Sequence, residues 1–404
     1  MFLDAYIAEW LDLLLRWAHV ITGIAWIGSS FYFMWLDARL NVPPRDPENR
    51  DVAGDLWAVH GGGFYHSQKY KVAPGELPEP LHWFKWEAYF TWITGFLLLI
   101  VVYYLNADVY LIDSRIADIS SGAAIAASVG LLLVGWYVYC GLCALRVSDG
   151  WIALIGSGYV LGLCWGLSNF YSGRGMFVQA GAMLGTIMAA NVWRVIIPSQ
   201  KQLVMAIQQD VKPDATLGMK AKRRSVHNNY LTLPVVFVMI SPHYAMTYGH
   251  AWNWLILFAI FVVGVLVRHY FNLRNRGSNV VAWPIAAAVV VIILAIAIAP
   301  RGSPSSRFES NLALPDRAVA FEEVRDIIEA RCLACHSSEP SHPTAPVPAG
   351  GVVFDSPRVI SVWSGRIYER AVRTGTMPPA NTTQMTDTER AILAKWISDG
   401  AGVE

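Results

Sequence analysis

The residues best equipped for chemistry lie near the end of the chain, in "RCLACHSSEP", residues 331–340. Cys332 and Cys335 stand at Cys-x-x-Cys spacing with His336 directly after them. Two thiols so placed can bond the vinyl groups of a haem, and the imidazole can supply an axial nitrogen to the iron, the pattern of c-type haem attachment. A second axial ligand is then needed. Met377, in the Pro-rich "GTMPP" 41 residues after the histidine, offers a thioether sulfur. Ligation by His and Met raises the haem potential and suits electron transfer. Met385 is a weaker candidate for the same position, and His342 reads as a surface residue. The competing readings of Cys-x-x-Cys are a disulfide or a zinc site. Zinc asks for four ligands, and only His336 and His342 lie near. A haem with both axial positions filled relays electrons, so the remainder of the chain must supply or take them.

A second group of chemically able residues opens the chain, in "EWLDLLLRWAHVITGIAWIGSSFYF". Glu9, Asp12, Arg16 and His19 follow at spacings of three, four and three, which puts them on one helix face. Asp12 and Arg16 form an i,i+4 pair in the favourable order. Ionisable groups within an apolar helix usually face a cavity or a partner. Arg16 would then anchor an anion, Asp12 or Glu9 would act as base, and His19 as haem ligand or proton relay. The bland alternative makes Glu9 and Asp12 interfacial charges and His19 a satisfied core donor. "WAHVITGIAWIG" also resembles the first helix of small membrane haem-b proteins, which would imply a b-type haem. Its second ligand would come from His243 in "ISPHY", from His269, or from His60 and His66 in "HGGGFYH", whose glycines permit close backbone approach. Each of these histidines has an ordinary reading as a cap, interface or loop residue. Further inward, "LHWFKWEAYFTWITG" places His82 and Glu87 at one end of a helix, with Thr91 and Thr94 on the face of Glu87. "RRSVHNNYLTLPV" does the same for His227, Asn228, Asn229 and Tyr230. Side-chain amides can read a small heterocycle through paired donor and acceptor groups, so His82, Glu87, His227 and Asn228 make a competing substrate pocket.

The elements that must position these residues follow from composition. Of 404 residues, 54% are hydrophobic and only 15% charged, with 17 Trp, which is a membrane composition. Net charge is +1, and no basic block with interleaved aromatics is present, so a nucleic-acid partner is excluded. Cys140, Cys143 and Cys164 read as small buried hydrophobes. No cleavable signal peptide is expected, because the first apolar segment is longer than such signals. Eight apolar segments approach the length that crosses a bilayer, near 7–36, 84–105, 121–145, 151–169, 176–197, 230–249, 252–270 and 280–299. A linker, 301–315, leads to a small soluble domain, 316–404, in which "FEEVRDIIEAR" reads as an amphipathic helix. "TDTERAILAKWIS" reads as a helix with a capping box at Thr386 and Glu389, presenting Ile392, Leu393 and Trp396 to the core. The expected architecture is all-α: an eight-helix transmembrane bundle, 1–300, followed by a domain resembling a class I cytochrome c. One set of loops holds six Lys and Arg within 39–85, Arg146, seven within 194–224, and Arg268, Arg274 and Arg276; the other holds only Arg115 and Arg174. The positive-inside rule therefore puts both termini outside the cytoplasm, the compartment where c-type haem is attached.

Taken together, "RWAHVITGIAWIGSSFYF", "HGGGFYH", "LHWFKWE", "RRSVHNNYLTLPV", "MISPHY" and the "CLACH"…"MPP" tail resemble the bacterial membrane-bound urate oxidases, or urate hydroxylases. The resemblance covers nearly the whole chain. It implies oxidation of urate to 5-hydroxyisourate in purine degradation, with water as oxygen source and without hydrogen peroxide. It also implies electrons passing to the attached cytochrome and on to a soluble cytochrome c or terminal oxidase, in the bacterial inner membrane with the cytochrome domain periplasmic. Urate is an anion at neutral pH, so a buried Arg or Lys suits it and a carboxylate or His would take its remaining proton. Two alternatives stay open: a respiratory subunit passing quinol electrons to the c-type haem, and a transporter with a haem sensor tail.

Overall fold

The computed structural model describes residues 5–42, 51–299, 312–345 and 347–403. Most of the expected linker, 301–315, lies outside the described residues. Helix α1 (Ala5–Arg39) is followed by strands β1 (Val52–His60) and β2 (Gly63–Tyr70). Then come α2 (Trp86–Leu98), which runs on through a π-helical segment, Leu99–Tyr104, and after it α3 (Ser121–Ala144) and α4 (Asp149–Ser168). Helix α5 (Gly173–Asn191) joins α6 (Ile197–Gln208) through a π-helical turn, making one rod of 36 residues. This larger, apolar half ends with α7 (Ala215–Ile240), the single turn α8 (Ala245–Tyr248), α9 (Asn253–Asn275) and α10 (Ala282–Ala297).

Local chemistry sets several of these boundaries. Ser120 caps α3 by accepting from the Ala123 N–H at 3.3 Å, Ser172 caps α5 from Gly175 at 2.9 Å, and Asp214 caps α7 from Thr216 at 2.9 Å. Each side chain satisfies a donor that the first helical turn leaves unpaired. The core gathers on α5, whose Met176, Phe177, Ala180, Met183, Leu184 and Ile187 are all buried. Helix α1 is peripheral: only 6% of its most apolar window is buried, against 61% for the α5–α6 rod.

The molecule is mostly helical with several apolar helices, and one expectation needs correction. Among the described residues six helical segments are long and apolar enough to cross a membrane. The other two expected spans fall short of that measure: α10 has 16 residues, and the first half of α7 holds "KAKRRS". The fold is also not purely α, since β1 and β2 form an antiparallel hairpin with His60 opposite Gly63. Its turn needs positive φ at both central positions, which Gly61 (+58°) and Gly62 (+81°) supply without steric cost. The glycines of "HGGGFYH" thus serve a strand turn.

The tail is a small helical unit with its own apolar core. It comprises α11 (Phe321–Arg331), α12 (Leu333–His336), α13 (Pro357–Val362), α14 (Ser364–Ile367) and α15 (Asp387–Ser398). Helices α11 and α15 pack together: the Phe321 and Trp396 rings lie 6.0 Å apart, and Arg331 pairs with Glu389 at 2.9 Å. The capping box forms as expected, with the Glu389 N–H donating to Thr386 Oγ1 and the Thr386 N–H to Glu389 Oε2. Leu393 and Trp396 are buried and Ile392 packs beside them.

Candidate functional site

Cys332, Cys335, His336 and Met377 line one cavity of about 520 Å³. The elements around it explain the placement. Helix α11 delivers Cys332, the short α12 carries Cys335 and His336, and the loop after α14 brings back Met377. His336 Nδ1 lies 3.2 Å from the Val352 carbonyl. A carbonyl only accepts, so Nδ1 bears the proton and Nε2 is left with its lone pair, the arrangement that orients imidazole ligands in metal sites. The Met377 backbone is held at both ends, its N–H donating to Arg370 O at 2.9 Å and its carbonyl accepting from Arg390 Nη1 at 3.0 Å. Both cysteines are free thiols, and burial pushes the Cys332 thiol up to about 12. Such a thiol is not a reactive thiolate. Among the described residues no group of three or more His, Cys, Asp or Glu gathers as a metal site. Two free thiols, an imidazole with Nε2 available and a thioether around one cavity fit a covalently held haem. Met385 also lines the cavity but is itself packed into the tail core.

The same cavity has a second wall, from the membrane half, including Tyr110, Asp113, Arg115, Arg174, Tyr248 and His250. Arg115 grips Asp113 with both ends of its fork, at 2.9 and 2.6 Å, and its Nη2 also donates to Gly375 O at 2.9 Å. Arg370 donates to Tyr248 Oη at 3.0 Å. Gly249 allows the close contact, since a Cβ there would stand 2.6 Å from Thr374 Cβ and 2.8 Å from Thr376 Cγ2. Arg174 lies over the Tyr110 ring at 4.5 Å and donates to Tyr103 Oη at 3.2 Å. Sequence reasoning counted Arg115 and Arg174 only as loop charges. The signal it passed over was that they are the two cations in that set of loops, Arg115 only two residues from Asp113.

The expected stripe on α1 does not enter the bundle. Arg16 and Asp12 pair at 2.6 Å, but their side chains are 47% and 39% exposed on the outside of a peripheral helix, and Glu9 is exposed as well. His19 points the other way, onto α2. Its Nδ1 meets the Thr91 carbonyl at 3.0 Å and Thr94 Oγ1 at 3.1 Å, and its ring occupies the space that a Cβ on Gly95 would fill. That is the satisfied-donor alternative.

The expected haem-b ligands are not brought together. His243 is exposed just beyond the end of α7. His269 bonds Tyr230 Oη at 2.8 Å and lies against Trp283. It sits 16 residues into α9, about 24 Å along the axis from the end nearest His243. These two cannot share one iron. His60 lies at the hairpin turn, and His66 stacks on Trp57 and bonds Asp55 at 2.8 Å.

The competing pocket also separates. His82 is exposed against Phe84, and Glu87 sits in the first turn of α2. His227 and Asn228 instead turn toward α3 and α5. His227 Nδ1 is 2.8 Å from Tyr139 Oη, while Asn228 accepts from Asn191 at 2.8 Å and donates to Met188 O at 2.9 Å. Arg224 lies over Tyr139 and reaches Asn191. Next to them, Asn229 Oδ1 accepts from Arg268 Nε at 3.3 Å and Nη2 at 3.1 Å. Arg268 is a further correction. Hydropathy ends the span at 270 and counts this residue among the loop charges, whereas it is buried within α9.

A sequence model of the family described as urate oxidase N-terminal matches residues 5–299, which takes in α1 to α10 and stops short of the tail. No curated protein and no solved structure matches the chain.

Proposed function

The chain belongs to the urate oxidase N-terminal family, and from that premise we propose that it oxidises urate to 5-hydroxyisourate and delivers the electrons to a haem held by its own tail. The observation that supports this reading is the shared cavity, where Cys332, Cys335, His336 and Met377 face Tyr248, Arg174 and Arg115 of the family-matched half. The balanced reaction is urate plus water giving 5-hydroxyisourate, two protons and two electrons. The bound haem would accept electrons one at a time. Cys332 and Cys335 would hold it covalently, with His336 Nε2 and the Met377 sulfur as the side-chain atoms that would bind its iron. Arg115 and Arg174 on one wall, and Arg331, Arg366 and Arg370 on the other, offer partners for its carboxylates.

The chain's own residues supply the path between the two halves. From the Tyr248 ring at the cavity wall, Phe177 lies 6.2 Å inward and Phe237 a further 6.3 Å. Arg370 and Arg115 hold the tail against this end of the bundle. In the membrane, the apolar rods would cross with the cationic loops inward. The tail would then lie in the periplasm, where a soluble cytochrome c or terminal oxidase can collect electrons. The test is substitution of Cys332 and Cys335 by Ala in the full-length protein. Urate consumption with the natural acceptor should stop, and unchanged consumption at normal expression would refute the wired mechanism.

A further inference from the structure

The inner half of the bundle contains a buried cation that no anion matches. Arg268 is only 6% exposed. Its partners are neutral: Asn229 Oδ1, Asn272 Oδ1 at 3.2 Å, and the face of the Phe31 ring at 3.9 Å. No carboxylate lies within ion-pair distance of it among the described residues. A guanidinium taken out of water is costly unless an opposite charge compensates it. The neighbouring amide is equally unfinished. Asn229 is fully buried, and its Nδ2 has no hydrogen-bond partner, although such groups are normally satisfied. The site thus gathers a cation without a counter-charge on α9 and an orphan amide donor on α7, against the Phe31 ring of α1.

A cavity of about 380 Å³ lies between those same three helices, toward their inner ends. It is lined by Met34, Asp37 and Ala38 of α1, Lys222 of α7, and Asn272 and Arg276 of α9. Asn272 therefore both lines the cavity and bonds Arg268. The charge of Asp37 is already matched, by Lys222 at 2.8 Å and by Lys69. With Arg276 and Arg268 added, the passage is net positive, and such a lining raises the local concentration of anions. Its volume is within the range of small-molecule sites.

We infer that Arg268, Asn229 and Asn272 form the seat of a planar, amide-bearing organic anion, the urate monoanion, reached from the inner side through the cavity of Lys222 and Arg276. This rests on the urate reading and deepens it. The guanidinium supplies the positive charge for the anionic edge, held in place by Asn229 Oδ1, Asn272 Oδ1 and the Phe31 ring. The unpaired Asn229 Nδ2 donates to a ring carbonyl.

The test is equilibrium binding of radiolabelled urate to the full-length protein, reduced beforehand with dithionite so that no turnover occurs. Arg268→Gln and Asn229→Asp should each weaken binding about tenfold or more, the range expected for a buried charged hydrogen bond. Arg268→Lys keeps the charge and loses the fork, and should fall between them and the wild type. Asn272→Ala, at the cavity wall, serves where a deeper variant does not fold, and should weaken binding several-fold. Lys222→Gln should have a smaller effect that high salt removes. Unchanged urate affinity in correctly folded Arg268→Gln and Asn229→Asp proteins overturns the site and leaves the urate reading standing. A wild-type protein that binds no urate overturns both.

Discussion

Two buried arginines, one in each half of the molecule, show what burial of charge is for. Arg390 in the tail is 1% exposed, and its fork is taken up by Ala371 O, Met377 O at 3.0 Å and Asn381 Oδ1 at 2.9 Å. Those oxygens belong to the loop that carries Met377, so the guanidinium cements that loop from beneath. Arg268 is nearly as buried, yet it meets only two side-chain amides and a ring, and an open cavity begins at one of those amides. A buried arginine filled by backbone carbonyls is a structural part. One that faces amides and a cavity is prepared for a ligand.

The largest effect should separate the two directly. Arg390→Met leaves backbone carbonyls unpaired and should destabilise the tail by about 3–5 kcal/mol; Arg268→Met removes an unmatched charge and should change the stability of the membrane half by about 1 kcal/mol or less. Thermal unfolding of the full-length variants checks this, and equal losses would erase the distinction. Next in size is the contact between the halves. Gly249→Ala forces a methyl into Thr374 and Thr376, a clash of about 1–3 kcal/mol. Faster amide exchange over 374–377, with an unchanged tail core, is the expected result.

The smallest effect concerns the hinge between α11 and α15. Burial raises the Glu389 carboxyl, but hydrogen bonds from Arg331 and Thr386 outweigh it and hold the group below its usual 4.5. A carboxyl lowered on folding stabilises the fold above its unfolded value, and that contribution is lost as the pH falls through the folded one. The tail should therefore lose stability on acidification below about pH 4.5. Glu389→Gln should flatten that dependence, at a cost of about 1 kcal/mol near neutrality.

The tail was far more legible in the sequence than the membrane half, for physical reasons. Its signals are local: a Cys-x-x-Cys-His run whose side chains line one cavity, and a capping box whose two residues are three apart. The extents of α11 and α15 followed from these and from periodicity. In an apolar helix, by contrast, periodicity does not say which face turns inward. The residues at Glu9, Asp12 and Arg16 form a proper stripe, but α1 packs on the periphery with that stripe outward and His19 turned to Thr91. Arg268 was hidden by the opposite error, because hydropathy averages a single arginine into a loop. The amides Asn228 and Asn229 were noticed, yet their partners Asn191, Met188 and Arg268 lie on other helices and only tertiary packing reveals them. The hairpin was missed because "HGGGFYH" was read as an approach to a ligand, although Gly61 and Gly62 are also a turn.

The central claim is that urate electrons reach iron held by the tail. Anaerobic addition of urate to the oxidised, full-length protein, followed by a reduced-minus-oxidised spectrum, tests it most directly. The predicted result is the signature of a reduced c-type haem, absent from the Cys332→Ala/Cys335→Ala variant. A covalently bound haem that stays oxidised with urate present, or a protein that carries no haem at all, would contradict it.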